Sequence, residues 1–123
     1  MGEGAKYVRM PIYNILLTEL LDSEPYPGTL NLDVGVSFKE LAASCPPLQI
    51  KSVVADGKEY GGFYYWFARL KARGSQPEDV LVLRPHLTRH GETVLEVIAP
   101  ENLRLKYGLR DGDSVELELI CGV

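Results

Sequence analysis

Hydrophobic positions recur along this chain with two periods. Between Pro11 and Leu21 the period is helical: Ile12, Leu16 and Leu20 stand four apart, with Tyr13, Leu17 and Leu21 beside them. That spacing predicts an amphipathic helix with a wide apolar stripe. Pro11 can open it, because a missing N–H costs nothing in the first turn. Further on the period is two. Thr29-Leu30-Asn31-Leu32-Asp33-Val34 alternates polar and apolar, which predicts a half-buried strand from Leu30 to about Val36. Leu48 to Val54, Gly61 to Leu70, Asp79 to Arg84, Thr93 to Ala99 and Val115 to Ile120 read as five more strands.

Punctuation between these runs is specific. Ser37 and Glu40 have capping-box spacing, so a short helix is expected from Ser37 to about Ala43, stopped by Pro46-Pro47. Asp56-Gly57 and Asp111-Gly112 are turn signals. Pro100 and Gly108 bracket an expected two-turn helix, with Pro at its first position and Gly just past its end. Six short strands with three short helices between them predict a mainly β fold, a small six-stranded barrel with helical insertions. At 123 residues this is one domain, 1–123.

The stretch Pro25 to Leu32 carries the most chemistry. Pro27-Gly28 is expected to centre a type II turn, with Gly28 at positive φ. Residues two apart on a strand share a face, so Thr29 and Asn31 project to one side of the turn. Two neutral oxygens side by side suit a hard cation such as Mg²⁺ that keeps most of its waters. They also suit plain hydrogen bonding of the turn and strand end, and both readings stand at this level.

Composition narrows the function classes. Hydrophobic residues are 46% and charged residues 24%, ordinary for a globular chain, and the net charge is −4. A mildly acidic chain is a poor generic binder of DNA or of an anionic membrane, although a local basic pocket for a small phosphorylated ligand remains compatible. Cys45 and Cys121 form no CxxC pair and no cluster with His86 or His90, which argues against zinc, and two cysteines do not suggest a disulfide scaffold. No run of about 18 apolar residues is present, and the N-terminus lacks the apolar core of a signal peptide. The chain reads as cytoplasmic.

Other segments admit two readings each. Gly2-Glu3-Gly4 can bring backbone N–H groups close to an anion, with Lys6 and Arg9 adding charge, or be a flexible end. The rings of Phe63 to Phe67 can fill the core or offer a flat face to a planar ligand. Glu96 lies mid-strand among apolar neighbours. It is either an edge position facing water or a carboxylate aimed at ligand donors. Arg104 lies one turn into the helix after Pro100, whose free N–H groups suit part of a nucleotide. The loop Pro85 to Glu92 carries both histidines and by itself identifies nothing.

Together these segments resemble the archaeal CTP-dependent riboflavin kinases, a family of small cradle-loop barrels. The resemblance rests on Gly2-Glu3-Gly4-Ala5, Pro11-Ile12-Tyr13, Pro25 to Leu32, Thr88-Arg89-His90, Leu95 to Pro100, Leu103-Arg104 and Leu109 to Asp113, in that order over most of the chain. It implies transfer of the γ-phosphoryl group of CTP to the 5′-hydroxyl of riboflavin, giving FMN and CDP. By position, Gly2, Glu3, Gly4, Ala5, Lys6 and Tyr7 would line the nucleotide site, completed by Glu101, Asn102, Leu103 and Arg104. Thr29 and Asn31 would hold Mg²⁺, and Thr88 and Glu96 would contact the flavin. No catalytic base is assigned. The family pattern has a strand before the glycine segment, whereas only Met1 precedes Gly2 here, so that strand is expected to be missing or very short. The implied partners are CTP/CDP and riboflavin/FMN, with no nucleic acid or membrane, on a monomer or weak oligomer. The alternative is a non-catalytic nucleotide- or flavin-binding regulatory barrel.

Overall fold

The computed structural model describes residues 10–86, 88 and 90–122. Its longest strand, β3 (Lys58–Lys71), organises the rest. The hairpin before it turns at Asp56 and Gly57, with φ of 52° and 76°, the left-handed pair a tight two-residue hairpin requires. Along one edge, β3 pairs with β4 (Glu78–Pro85) from Phe63 to Leu70. Its other edge is divided. β2 (Leu48–Ala55) takes the first half, and β6 (Glu116–Leu119) takes Ala68 to Lys71. β4 continues to β5 (Val94–Ile98), and β5 to β1 (Leu30–Asp33), all antiparallel. The six strands and three helices among the described residues match the sequence expectation of a mainly β fold.

β3 and β4 read as almost continuous apolar runs because they are buried on both faces. Trp66, Ala68 and Leu70 join Val80, Val82, Leu95 and Val97 in an inner core. Leu30 and Leu32 of β1 and Leu117 and Leu119 of β6 pack onto the same core, so the sheet rolls around it. Among the described residues, no hydrogen-bonded pairing joins β1 to β6, and the roll stays open along that seam. On the outer face, Phe63, Tyr65, Leu81, Leu83 and Ile98 meet helix α1 (Pro11–Leu21) through Tyr13 and Leu17. Burying Leu17 completely stabilises the packing by about 2 kcal/mol. The Tyr13 hydroxyl donates to Gly61 O at 2.6 Å, which gives its polar end a partner.

Helix α2 (Phe38–Ser44) begins where expected, with the Ser37 hydroxyl accepting from Glu40 N. Helix α3 (Leu103–Lys106) is a single turn rather than two. The Asn102 side chain accepts from Leu105 N at 3.2 Å and starts the helix after itself, leaving Pro100 and Glu101 outside. It ends at Gly108 (φ 61°), with Leu109 N bonding Arg104 O and Gly108 N bonding Leu105 O, a Schellman ending.

The two cysteines are paired, contrary to the sequence expectation: Cys45 and Cys121 form a disulfide across a separation of 76 residues. It ties the segment entering β2 to the segment leaving β6, the two strands that share one edge of β3. Spacing in sequence carries no trace of that neighbourhood. Trp66 braces the same place, its indole N–H donating to Cys45 O at 2.8 Å. Among the described residues, no helix is long and apolar enough to cross a membrane.

Candidate active site

The β1–β5 ladder sets Asn31 opposite Glu96. Directly opposed residues of an antiparallel pair project to the same face, and Thr29, two residues before Asn31, joins them. The Thr29 hydroxyl lies 3.1 Å from Glu96 Oε1 and 3.4 Å from Asn31 Oδ1. A hydroxyl has one hydrogen to give, and the nearer, carboxylate oxygen takes it. The Thr29 lone pairs and the Asn31 amide oxygen then remain for another partner. Adjacent ligands on an octahedral Mg²⁺ stand about 2.9 Å apart, given metal–oxygen distances of about 2.05 Å. The 3.4 Å spacing here is close to that, so the pair fits such a cation.

Glu96 does not face water. β5 lies between β1 and β4, and Glu96 is 1% exposed. The edge reading is therefore excluded. A buried carboxylate is costly unless its oxygens are engaged. Thr29 engages one, and the His90 ring nitrogen Nε2 stands 3.9 Å from the other.

The turn before β1 differs from the expected type II. Gly28 is not at positive φ. Its N–H instead bonds Tyr26 O at 2.8 Å, a three-residue turn centred on Pro27, whose fixed φ suits that tighter geometry. A Cβ at Gly28 would stand 3.0 Å from the edge of the exposed Tyr26 ring, so a larger residue there would have to push that ring aside by a few tenths of an ångström. Tyr26 N donates to Ala99 O, anchoring the turn beside the end of β5.

That anchoring brings the two halves of the expected site together. A pocket of about 180 Å³ has Tyr26, Gly28, Thr29 and Leu30 on one wall. Val97, Ala99, Glu101, Asn102, Leu103 and Arg104 form the other. The Leu103 side chain is buried in the inner core, so only its backbone is offered to the pocket. The Asn102 carbonyl oxygen is committed to its cap. Glu101 pairs with Lys106 at 3.3 Å, and Arg104 pairs with Asp111 at 2.9 Å. Lys106 also meets Glu78, whose hydrogen bond holds its ammonium well above the ordinary lysine range. The Tyr107 hydroxyl donates to the same carboxylate, which pushes its own titration up. Arg104 also borders a second, larger groove of about 640 Å³, between β1 and the segment Leu109–Leu117 along the open seam.

The Thr88 hydroxyl accepts from His90 N at 3.1 Å, and Thr88 N donates to Pro85 O. This loop delivers His90 to Glu96. Only the run Thr88-Arg89-His90 hinted at that in sequence, where the resemblance gave Thr88 a flavin contact and His90 no role. Gly2, Glu3, Gly4, Ala5, Lys6 and Tyr7 lie outside the described residues. The aromatic strand mostly serves the core: Phe63 and Trp66 are fully buried. Tyr64 is half-buried, and its ring packs at a tilt against Phe38 and His86, with centroids 4.9 Å and 4.4 Å away.

Comparison with known proteins bears on this arrangement. The model of the CTP-dep_RFKase family, described as a domain of unknown function, DUF120, matches residues 1–119. A riboflavin kinase of Thermococcus kodakarensis is 38% identical over 122 residues, which cover 98% of this chain and 54% of the relative. One of Halobacterium salinarum is 34% identical, covering 97% of this chain and 52% of the relative. One of Staphylothermus marinus is 35% identical, covering 95% of this chain and 82% of the relative. This chain thus spans about half the length of the first two of these relatives and most of the third. The chain belongs to the CTP-dep_RFKase family.

Proposed function

We propose that this chain is a CTP-dependent riboflavin kinase, converting riboflavin and CTP to FMN and CDP. One observation carries the reading. Thr29 and Asn31 present neighbouring oxygens, fit for a hard cation, with Thr29 lining the pocket that Glu101 to Arg104 complete, Asn31 lining the adjacent larger groove, and Arg104 bordering both. Family membership over residues 1–119 supplies the substrates.

Phosphoryl transfer needs positioning and charge neutralisation more than covalent chemistry. Thr29 and Asn31 would hold Mg²⁺, which when bound offsets phosphate charge. Glu96 fixes the direction of the Thr29 hydroxyl by accepting its hydrogen. Arg104, half-exposed and paired only at the surface with Asp111, can exchange that partner for a phosphate oxygen. Thr88 and Glu96 would meet the flavin from the side opposite the nucleotide. The reading assigns no strong base, since the acceptor hydroxyl can lose its proton late.

The test is chromatographic detection of FMN from riboflavin with CTP and Mg²⁺ supplied, against ATP in parallel. FMN is expected with CTP and lost with a chelator. Asn31→Ala is expected to raise the Mg²⁺ needed for half-maximal rate by on the order of tenfold. Full activity of that variant at limiting Mg²⁺ would remove the metal assignment.

A further inference from the structure

We propose that His90 is a positioning residue, clamping the Glu96 carboxylate so that the loop carrying Thr88 and the strand carrying Thr29 are held in one fixed relation. The inference rests on the kinase reading above and adds a residue that reading does not use.

Glu96 is the one buried charged side chain among the described residues, in mid-strand beside apolar Leu95 and Val97. Its Oε1 accepts from Thr29. Its Oε2 lies 3.9 Å from His90 Nε2, and that nitrogen is buried with no hydrogen-bond partner among the described residues. A ring N–H so placed has one acceptor to turn to. The distance is too long for a direct bond, and contacts of this kind shorten when substrates close a site. His90 is also fixed from behind, since its backbone N–H bonds the Thr88 hydroxyl at 3.1 Å. One residue therefore bonds Thr88 through its backbone and approaches Glu96 through its ring, while Glu96 in turn holds Thr29.

The consequence is chemical as well as mechanical. A ligand hydroxyl binds a cation best when its hydrogen is held away from the metal by a fixed acceptor. With the imidazole taken away from Oε2, the carboxylate can shift from its present position, and the Thr29 hydroxyl then loses the fixed acceptor that orients it. The same shift displaces Glu96 from the flavin side. Removal of the imidazole should thus weaken both ends of the site together.

Two variants separate this from a merely structural role. His90→Leu removes the donor. His90→Gln keeps an N–H at nearly the same reach. Two quantities are read: the Mg²⁺ concentration for half-maximal FMN formation, and riboflavin affinity by quenching of flavin fluorescence with no nucleotide or metal present. His90→Leu is expected to shift both by fivefold or more, and His90→Gln to stay within twofold of the parent on both. A stability defect alone would lower the melting temperature without that paired shift. If His90→Leu does not fold, His90→Asn, too short to reach Oε2, takes its place with the same expectations. A leucine or asparagine variant within twofold of the parent on both readouts overturns the proposal. A parent chain that makes no FMN overturns the kinase reading instead, and the fluorescence comparison still decides the part of His90.

Discussion

Gly62 shows how much one missing side chain can decide. A Cβ at that position would stand 1.9 Å from Ile50 O and 2.3 Å from Lys51 O, both backbone atoms of the neighbouring strand. Gly61, beside it, has open space around it. Gly62→Ala is therefore expected to destabilise by about 3 kcal/mol, lowering the melting temperature by roughly 10 °C, while Gly61→Ala changes it little. Calorimetry of the two variants checks this, and equal melting temperatures would refute it. The same scale holds the chemistry. That Thr29 and Asn31 share a face was legible from strand alternation. That Glu96 takes the Thr29 hydrogen was not, because the two residues are 67 positions apart and meet only through the β1–β5 register.

At the level of elements, boundaries followed local signals and failed where a side chain overrode them. Helix α1 runs from Pro11 to Leu21 as its spacing predicts. Helix α3 starts late because Asn102 caps it, and β1 stops at Asp33, whose carboxylate accepts from Gly35 N in a turn with Gly35 at φ 69°. Contacts between elements add pH sensitivity. Gln49 of β2 approaches His86, just past β4, with its amide nitrogen 3.3 Å from His86 Nε2. An amide N–H can only donate, so this bond needs a neutral ring. Burial also lowers the His86 pKa below its ordinary 6.5. With the folded value depressed, the unfolded chain binds the proton more readily. The contribution is complete above the unfolded value and is lost as pH falls through the folded one. Melting temperature is expected to drop between pH 7.5 and 5.5, and to drop less in His86→Gln. Parallel pH profiles of the two proteins would contradict this.

Across the whole molecule, the divided edge of β3 is the feature that needs a fastening. β2 and β6 lie on the same side of one strand, and the Cys45–Cys121 disulfide closes the 76-residue span between their ends. A loop of that length predicts about 4.5 kcal/mol of stabilisation through the unfolded chain. Reduction, or Cys121→Ser, is expected to lower the urea midpoint correspondingly, and an unchanged midpoint would show that the bridge contributes nothing. What the sequence by itself determined is local: helical and strand periods, turn glycines, the face shared by Thr29 and Asn31, and a family likeness carried by ordered short motifs. These depend on neighbours a few residues apart, where backbone sterics and side-chain spacing act directly. Only the tertiary structure decided which distant residues meet: the disulfide, the burial of Glu96, the approach of His90, and the pocket joining the Thr29 turn to Glu101–Arg104. Those contacts depend on strand order and register, which are set by how the apolar faces pack into two cores rather than by any one stretch of chain.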